Sequence, residues 1–241
     1  MSQASRIEWT EATWNPTVGC TKISPGCKHC YAESMAKRLK AMGTPGYENG
    51  FKLTILPDRL AEPLARKKPT VYFVNSMSDL FHEDVPTEFI QAVWATMAIC
   101  PQHQFQVLTK RPERMAALFA DGDLQRLNHI WIGTSVEDDT VVGRIEHLLS
   151  ISGMTRFVSF EPLIGPVGSI SLHGIAWAIV GGESGPASRP MEIEWVEQIE
   201  RACRRAETAF FFKQWGGRNK KAAGRQLRGQ TFDEYPHELA A

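Results

Sequence analysis

The stretch Cys20-Thr-Lys-Ile-Ser-Pro-Gly-Cys27-Lys-His-Cys30-Tyr31 constrains this chain more than any other. Pro25 and Gly26 turn the backbone so that the three sulfurs of one loop can converge. Thiolates are soft ligands that favour zinc, copper(I) or iron-sulfur clusters. The number of ligands separates these possibilities. Structural zinc is almost always closed by four protein ligands, and a simple ferredoxin cluster also takes four cysteines. Here the loop offers three. Cys100 and Cys203 fall far along the chain, in segments expected to be buried, with no partner at ligand spacing. A zinc site would need His29 or His82 to complete it. A [4Fe-4S] cluster on three thiolates instead leaves one iron open to a small molecule.

Composition narrows the setting. A chain of 241 residues with 43% hydrophobic and 22% charged side chains can bury a substantial core, which argues against disorder. No apolar run reaches the about 18 residues of a membrane span, and the N-terminus lacks the apolar core of a secretory signal. An odd set of 5 cysteines argues against a secreted disulfide framework. The cytoplasm is the expected compartment, with no membrane partner. With 27 basic and 27 acidic residues, net charge does not announce a nucleic-acid binder. A basic C-terminal extension over about 216–241 carries Arg218, Lys220, Lys221, Arg225 and Arg228. It is either a solvated surface segment or a basic rim at the mouth of a site.

Short apolar runs alternate with helical patterns, the grammar of a mostly parallel sheet. Strands are expected at Thr13–Val18, Phe51–Leu56, Val71–Val74, Phe105–Leu108, Ile130–Ile132, Arg156–Ser159, Ile175–Val180 and Ala209–Phe212. Helices are expected over Tyr31–Met42, over Pro86–Cys100, through Met115 and Leu118, around Val141 to Leu149, and over Glu194–Arg205, while an amphipathic segment runs from Pro57 to Arg66. In the first of these, Met35, Leu39 and Met42 fall on one apolar face expected to be core. The fold class is α/β: a parallel (β/α) TIM-like arrangement, a partial barrel, forming a single domain over 1–241 with the cysteine loop at 19–31.

In such folds ligand sites are built at the carboxyl ends of the strands. Candidates there are Asn75, Ser76 and Asp79 after the Val71–Val74 strand, Lys110 and Arg111 after Leu108, and Ser135 and Glu137 after Ile132. Each is equally readable as ordinary turn capping or a surface pair. Glu161 in Phe-Glu-Pro stands directly after a buried strand, where a carboxylate is rarely left unpaired. Glu183 follows Gly181-Gly182, and Lys213 ends the last strand. Glu161, Glu183 and Lys213 are the candidates for catalytic groups in a substrate or cofactor pocket, with Arg189 a possible companion. Trp215 either stacks on a base or closes the core.

The cysteine loop resembles that of radical S-adenosylmethionine (SAM) enzymes, with a longer first spacing than is usual there. Its Gly-Cys-x-x-Cys-Tyr portion is similar to the spore photoproduct lyase branch. Over nearly the whole chain the run of blocks resembles a phage-associated three-cysteine-motif family of unknown function, regarded as radical-SAM-like. This resemblance implies that Cys20, Cys27 and Cys30 hold a [4Fe-4S] cluster whose fourth iron takes the amino and carboxylate groups of SAM. It implies that Tyr31 packs near the adenine, that Asn75, Ser76 and Asp79 accept from the methionine amine, and that Ser135 and Glu137 face the ribose. Lys110 and Arg111 would meet the cofactor carboxylate or an anionic substrate. In that superfamily a Gly-Gly-Glu usually follows the second strand, whereas here it follows the sixth. The implied activity is reductive cleavage of SAM to a 5′-deoxyadenosyl radical. Flavodoxin or ferredoxin would be the electron donor, and the unidentified substrate could be a nucleic acid or nucleotide. The rival reading is a non-catalytic zinc or iron-sulfur module of a phage or mobile element. A hydrolase lacks support, since no nucleophile elbow, phosphate loop or paired metal-carboxylate motif is present.

Overall fold

A computed structural model describes residues 5, 7–219 and 223–236. Lys220, Lys221 and the part of the basic extension beyond 236 lie outside the described residues, as does most of the N-terminal stretch before Ile7. The strands are β1 (Ala12–Trp14), β2 (Thr17–Val18), β3 (Thr54–Ile55), β4 (Val71–Val74), β5 (Gln104–Thr109), β6 (Ile130–Ser135), β7 (Arg156–Phe160), β8 (Trp177–Gly181) and β9 (Ala209–Gln214). The helices are α1 (Tyr31–Ala41), α2 (Thr87–Ala98), α3 (Pro112–Ala120), α4 (Arg144–Leu149) and α5 (Ile193–Ala206). Seven strands form one sheet in the order β1-β4-β5-β6-β7-β8-β9, and β2 pairs with β3 separately. This is the parallel, partial TIM-like α/β class expected from the alternation of strand and helix.

Contacts divide the chain into two compact units interleaved along the sequence. One is Met1–Lys22, Cys30–Ile132 and Ile151–Met154; the other is Ile23–His29, Gly133–Ser150 and Thr155–Ala241.

In the first unit β1, β4 and β5 run parallel, with Ala12 opposite Tyr72 and Tyr72 opposite Phe105. Tyr72 and Phe105 stack at 5.5 Å between ring centroids. The first expected strand is split in two. Pro16 has no N–H to donate to a ladder, and Asn15 turns inward to accept from the Met77 N–H at 2.9 Å. The chain therefore leaves the sheet after Trp14, and β2 turns to pair antiparallel with β3. The amphipathic segment before Arg66 forms two short 3-10 turns, each opened by a proline, Pro57 and Pro63.

Helix α1 corrects the expected packing face. Ala32 and Ala36 are buried against Val18, Tyr47 and Met77, with Leu39 partly buried beside them. Met35 is 41% and Met42 66% exposed. Small residues let the helix lie close to its support, and the long thioethers turn outward.

In the second unit β7, β8 and β9 are parallel, with Phe157 opposite Trp177 and Trp177 opposite Ala209. Phe157, Trp177, Phe210, Phe211 and Phe212 are almost completely buried. The described part of the C-terminal extension runs along β9. The Phe212 N–H donates to the Phe232 carbonyl at 2.9 Å and the Glu234 N–H to the Phe210 carbonyl at 3.3 Å. An exposed sheet edge invites foreign strands, and this strip covers it. Behind β8, Gly182 lies against backbone: a Cβ there would sit 2.0 Å from the Trp215 carbonyl oxygen.

Overpacking of this kind costs about 1–3 kcal/mol. Gly182→Ala should therefore lower the unfolding free energy of the apoprotein by that amount, seen as a lower urea midpoint. Gly143→Ala is the control, since a Cβ at Gly143 meets nothing within 4 Å and its φ of −57° suits any residue; it should leave the midpoint nearly unchanged.

Candidate functional site

The cysteine loop begins at Gly19, whose φ of +80° and whose approach to the Lys52 carbonyl, 2.2 Å from where a Cβ would be, admit only glycine. This bend delivers Cys20, whose N–H donates to the Phe51 carbonyl at 3.1 Å. Cys20 meets Arg111 from the end of β5: the guanidinium Nη1 donates to Sγ at 3.7 Å. Arg111 is 8% exposed and is held on every side. Nη1 also donates to Asp79 Oδ2 at 3.2 Å, Nε to Glu83 Oε2 at 2.7 Å, and Nη2 to the Thr21 hydroxyl at 2.8 Å. Of the five N–H groups of a guanidinium, four are thus engaged. Burial works against its charge, but Asp79, Glu83 and Cys20 outweigh burial and raise its pKa. The backbone N–H of Glu83, helped by Arg111, holds the Glu83 carboxyl down at about 2 despite some desolvation.

Thr21 links this network to His82, which is fully buried. His82 Nδ1 accepts from the Asp84 N–H at 3.1 Å, so the ring proton resides on Nε2, which lies 2.9 Å from the Thr21 hydroxyl oxygen. Thr21 in turn donates to Glu83 Oε1 at 3.1 Å.

The residues after β4 are built into the same unit. Asp79 accepts from the Phe81 N–H (3.0 Å), the Thr109 hydroxyl (2.7 Å), the Lys110 N–H (3.1 Å) and Arg111, so both carboxylate oxygens are engaged within the chain. Ser76 donates to Asn15 Oδ1 at 3.2 Å. Asn75 is buried with φ of +60°. Its Nδ2 donates to the Thr17 hydroxyl at 2.6 Å, while Oδ1 is buried with no hydrogen-bond partner. A strained backbone and an orphaned buried acceptor together cost a few kcal/mol, and both recur at ligand sites. Cys30 is the N-cap of α1, so its sulfur stands at the positive end of a helix, where a thiolate is favoured. Tyr31 is 53% exposed, and its hydroxyl donates to the Ser76 carbonyl.

In the second unit Cys27 closes a 3-10 turn over Pro25–Cys27. Its Sγ lies 3.5 Å from the Ser24 hydroxyl, which donates to Glu137 Oε1 at 3.0 Å. Glu137 is fully buried and pairs with Arg144 Nη1 at 3.0 Å; Nη1 also donates to the Ser135 carbonyl at 3.0 Å. Gly26 is packed on the same carboxylate, since a Cβ there would be 2.4 Å from Glu137 Cγ. Glu137 therefore anchors the loop that bears Cys27, and Ser135 is buried beside it.

The ends of β7, β8 and β9 carry the other acids. Lys213 Nζ donates to Glu161 Oε1 at 2.5 Å, reaching across β8 over Gly181, where a Cβ would be 3.3 Å from Glu161 and 3.5 Å from Lys213. Glu183, 3% exposed, takes Arg189 in a fork, with Nε at 2.9 Å and Nη2 at 2.5 Å. Burial pushes the Glu183 carboxyl up, but Arg189, and more weakly His29, bring it below its ordinary value. Trp215 packs edge-on against Phe212 at 5.0 Å and its indole N–H donates to the Gln226 carbonyl. Two basic residues of the extension face acids: Arg225 pairs with Asp233, and Arg228 with Glu197 and Glu200.

None of the five cysteines is joined in a disulfide. The loop cysteines are half-buried; Cys100 and Cys203 are in the core, where burial pushes both thiols up, Cys203 to about 12. Among the described residues no group of three or more His, Cys, Asp and Glu side chains is gathered to hold a single metal ion. The donor chemistry still fits an iron-sulfur cluster, which spreads its thiolates over separate irons, and a guanidinium aimed at one sulfur supports negative charge there. Sequence reading missed Thr21, Ser24, Glu83 and Arg144. Only Arg144 left a signal, a cation inside the apolar stripe of α4 that burial would oblige to find an anion.

Two solved structures of spore photoproduct lyase share the fold. One is a doubly substituted protein with bound AdoMet and dinucleoside spore photoproduct, with a TM-score of 0.51; the other has a cysteine replaced by serine, with a TM-score of 0.52. Each is 12% identical and covers 86% of this chain but 64% of its own, so the chain spans under two thirds of their length. No curated protein sequence matches. Among the described residues no helix is long and apolar enough to cross a membrane. The family model described as "Protein of unknown function (DUF5131)" matches residues 4–236, and the chain belongs to that family.

Proposed function

We propose that this chain is a radical SAM-type enzyme in which Cys20, Cys27 and Cys30 hold a [4Fe-4S] cluster. The observation that carries the reading is the set of three unbridged, half-buried cysteines in one loop, the first of them receiving a buried guanidinium donor. The fold shared with spore photoproduct lyase, a radical SAM enzyme whose structure holds AdoMet, supports it. Cys20, Cys27 and Cys30 would hold the cluster, which, once reduced by an external electron donor, would supply the one-electron chemistry for reductive cleavage of SAM. The protein's own share is to hold, orient and exclude water.

Arg111 and the α1 N-terminus favour thiolate at Cys20 and Cys30, and Glu137 with Gly26 fixes the turn that presents Cys27. Asn75 Oδ1 offers an acceptor for an amine. Tyr31, Ser76, Lys110 and Ser135 are assigned to cofactor contact by their neighbourhood in the sequence and the resemblance. Glu161 with Lys213 and Glu183 with Arg189 give a substrate both signs of charge, since an ion pair can exchange its partner for a ligand group of the same sign. A nucleotide or nucleic acid offers such groups. The cytoplasm and a small electron carrier such as flavodoxin or ferredoxin complete the reading.

Anaerobic reconstitution should yield a brown protein with about four irons per chain. With SAM and dithionite it should form 5′-deoxyadenosine, and Cys20→Ala, Cys27→Ala or Cys30→Ala should each abolish product and most of the iron. A colourless protein that binds one zinc and unfolds with chelator overturns the reading. Glu137→Ala takes the carboxylate away from a buried guanidinium and should destabilise the apoprotein by about 3 kcal/mol. Glu137→Gln keeps an acceptor for Ser24 and should cost less and retain more iron, measured by urea unfolding and iron assay.

A further inference from the structure

We propose that Arg111 is a positioning residue that sets the reduction potential of the cluster through Cys20. This rests on the cluster reading above and adds a role that the resemblance does not imply, which cast Arg111 as a partner for a carboxylate. Four of its N–H groups are taken, one of them by the sulfur itself. Hydrogen bonds to ligand sulfur stabilise the more negative, reduced state of an iron-sulfur centre and raise its potential. Arg111 is fitted for this because it is buried and cannot swing away: Asp79, Glu83 and Thr21 hold the guanidinium plane from three directions. The two carboxylates also temper its charge, so the directional N–H···S contact, rather than a broad positive field, distinguishes this side of the loop. Cys27 is served differently. The Ser24 hydroxyl beside it gives its single proton to Glu137 and has none for sulfur.

The test compares reconstituted wild type with Arg111→Met, Arg111→Lys and Glu83→Gln by mediated redox titration, read from visible absorbance and the EPR of the reduced cluster. At the wild-type midpoint, Arg111→Met should show at least a tenfold lower ratio of reduced to oxidised cluster, about 59 mV for a one-electron couple. Arg111→Lys keeps a charge but not the fork and should fall between the two. Glu83→Gln removes a tempering anion and should move the midpoint upward. Midpoints of loaded Arg111→Lys and Glu83→Gln within twofold of wild type in that ratio overturn the proposal even where Arg111→Met does not load. Failure of the wild type itself to take up iron refutes the cluster reading instead.

Discussion

Charge taken out of water is the constraint on which this molecule depends. Removing a carboxylate or guanidinium from solvent costs several kcal/mol per ion, recovered only when partner and hydrogen bonds are well placed. Each unit contains such an arrangement at the cysteine loop. In the first, Asp79 and Arg111 are both nearly inaccessible; backbone N–H groups and the Thr109 hydroxyl donate to Asp79, and Arg111 donates to Asp79, Glu83 and the Thr21 hydroxyl. In the second, Glu137 and Arg144 are buried together. Both arrangements end on the cysteine loop, one at Cys20 and the other, through Ser24, at Cys27. A protein that needed these ions only for cohesion would have done as well with apolar packing. Their presence beside the thiols fits a loop that must be held in one conformation.

The fold was legible because its strands are apolar runs with polar ends, which composition alone reveals. Departures from expectation have local causes. Pro16 ends β1 early. On α1, periodicity chose the large apolar residues as the core face, whereas Ala32 and Ala36 take it; a pattern cannot show how near the support lies. The pairing of the extension with β9 was equally hidden, because its polar residues read as surface.

The candidate site was legible in its thiols and partly in its acids. A carboxylate after a strand looks the same in sequence whether it faces a ligand or ties down a loop. Glu137 and Asp79 are each tied to neighbouring segments, by Arg144 and by Thr109, partners that no motif announces. Glu161 and Glu183 each engage a cation from their own unit, Lys213 across the gap over Gly181 and Arg189 from the following turn. Asn75 is the residue whose state the backbone reveals and the sequence could not: a left-handed asparagine with one buried oxygen unmatched.

Helix α1 has a chemical corollary. Because its alanines do the packing, Met35 and Met42 present their sulfurs to solvent on the helix that Cys30 caps. Peroxide reaching this surface meets two thioethers whose conversion to sulfoxide adds a polar oxygen where water already lies. Such oxidation would mark the outside of the protein and leave the interior, with Met77, Met97 and Met115 enclosed, unaltered.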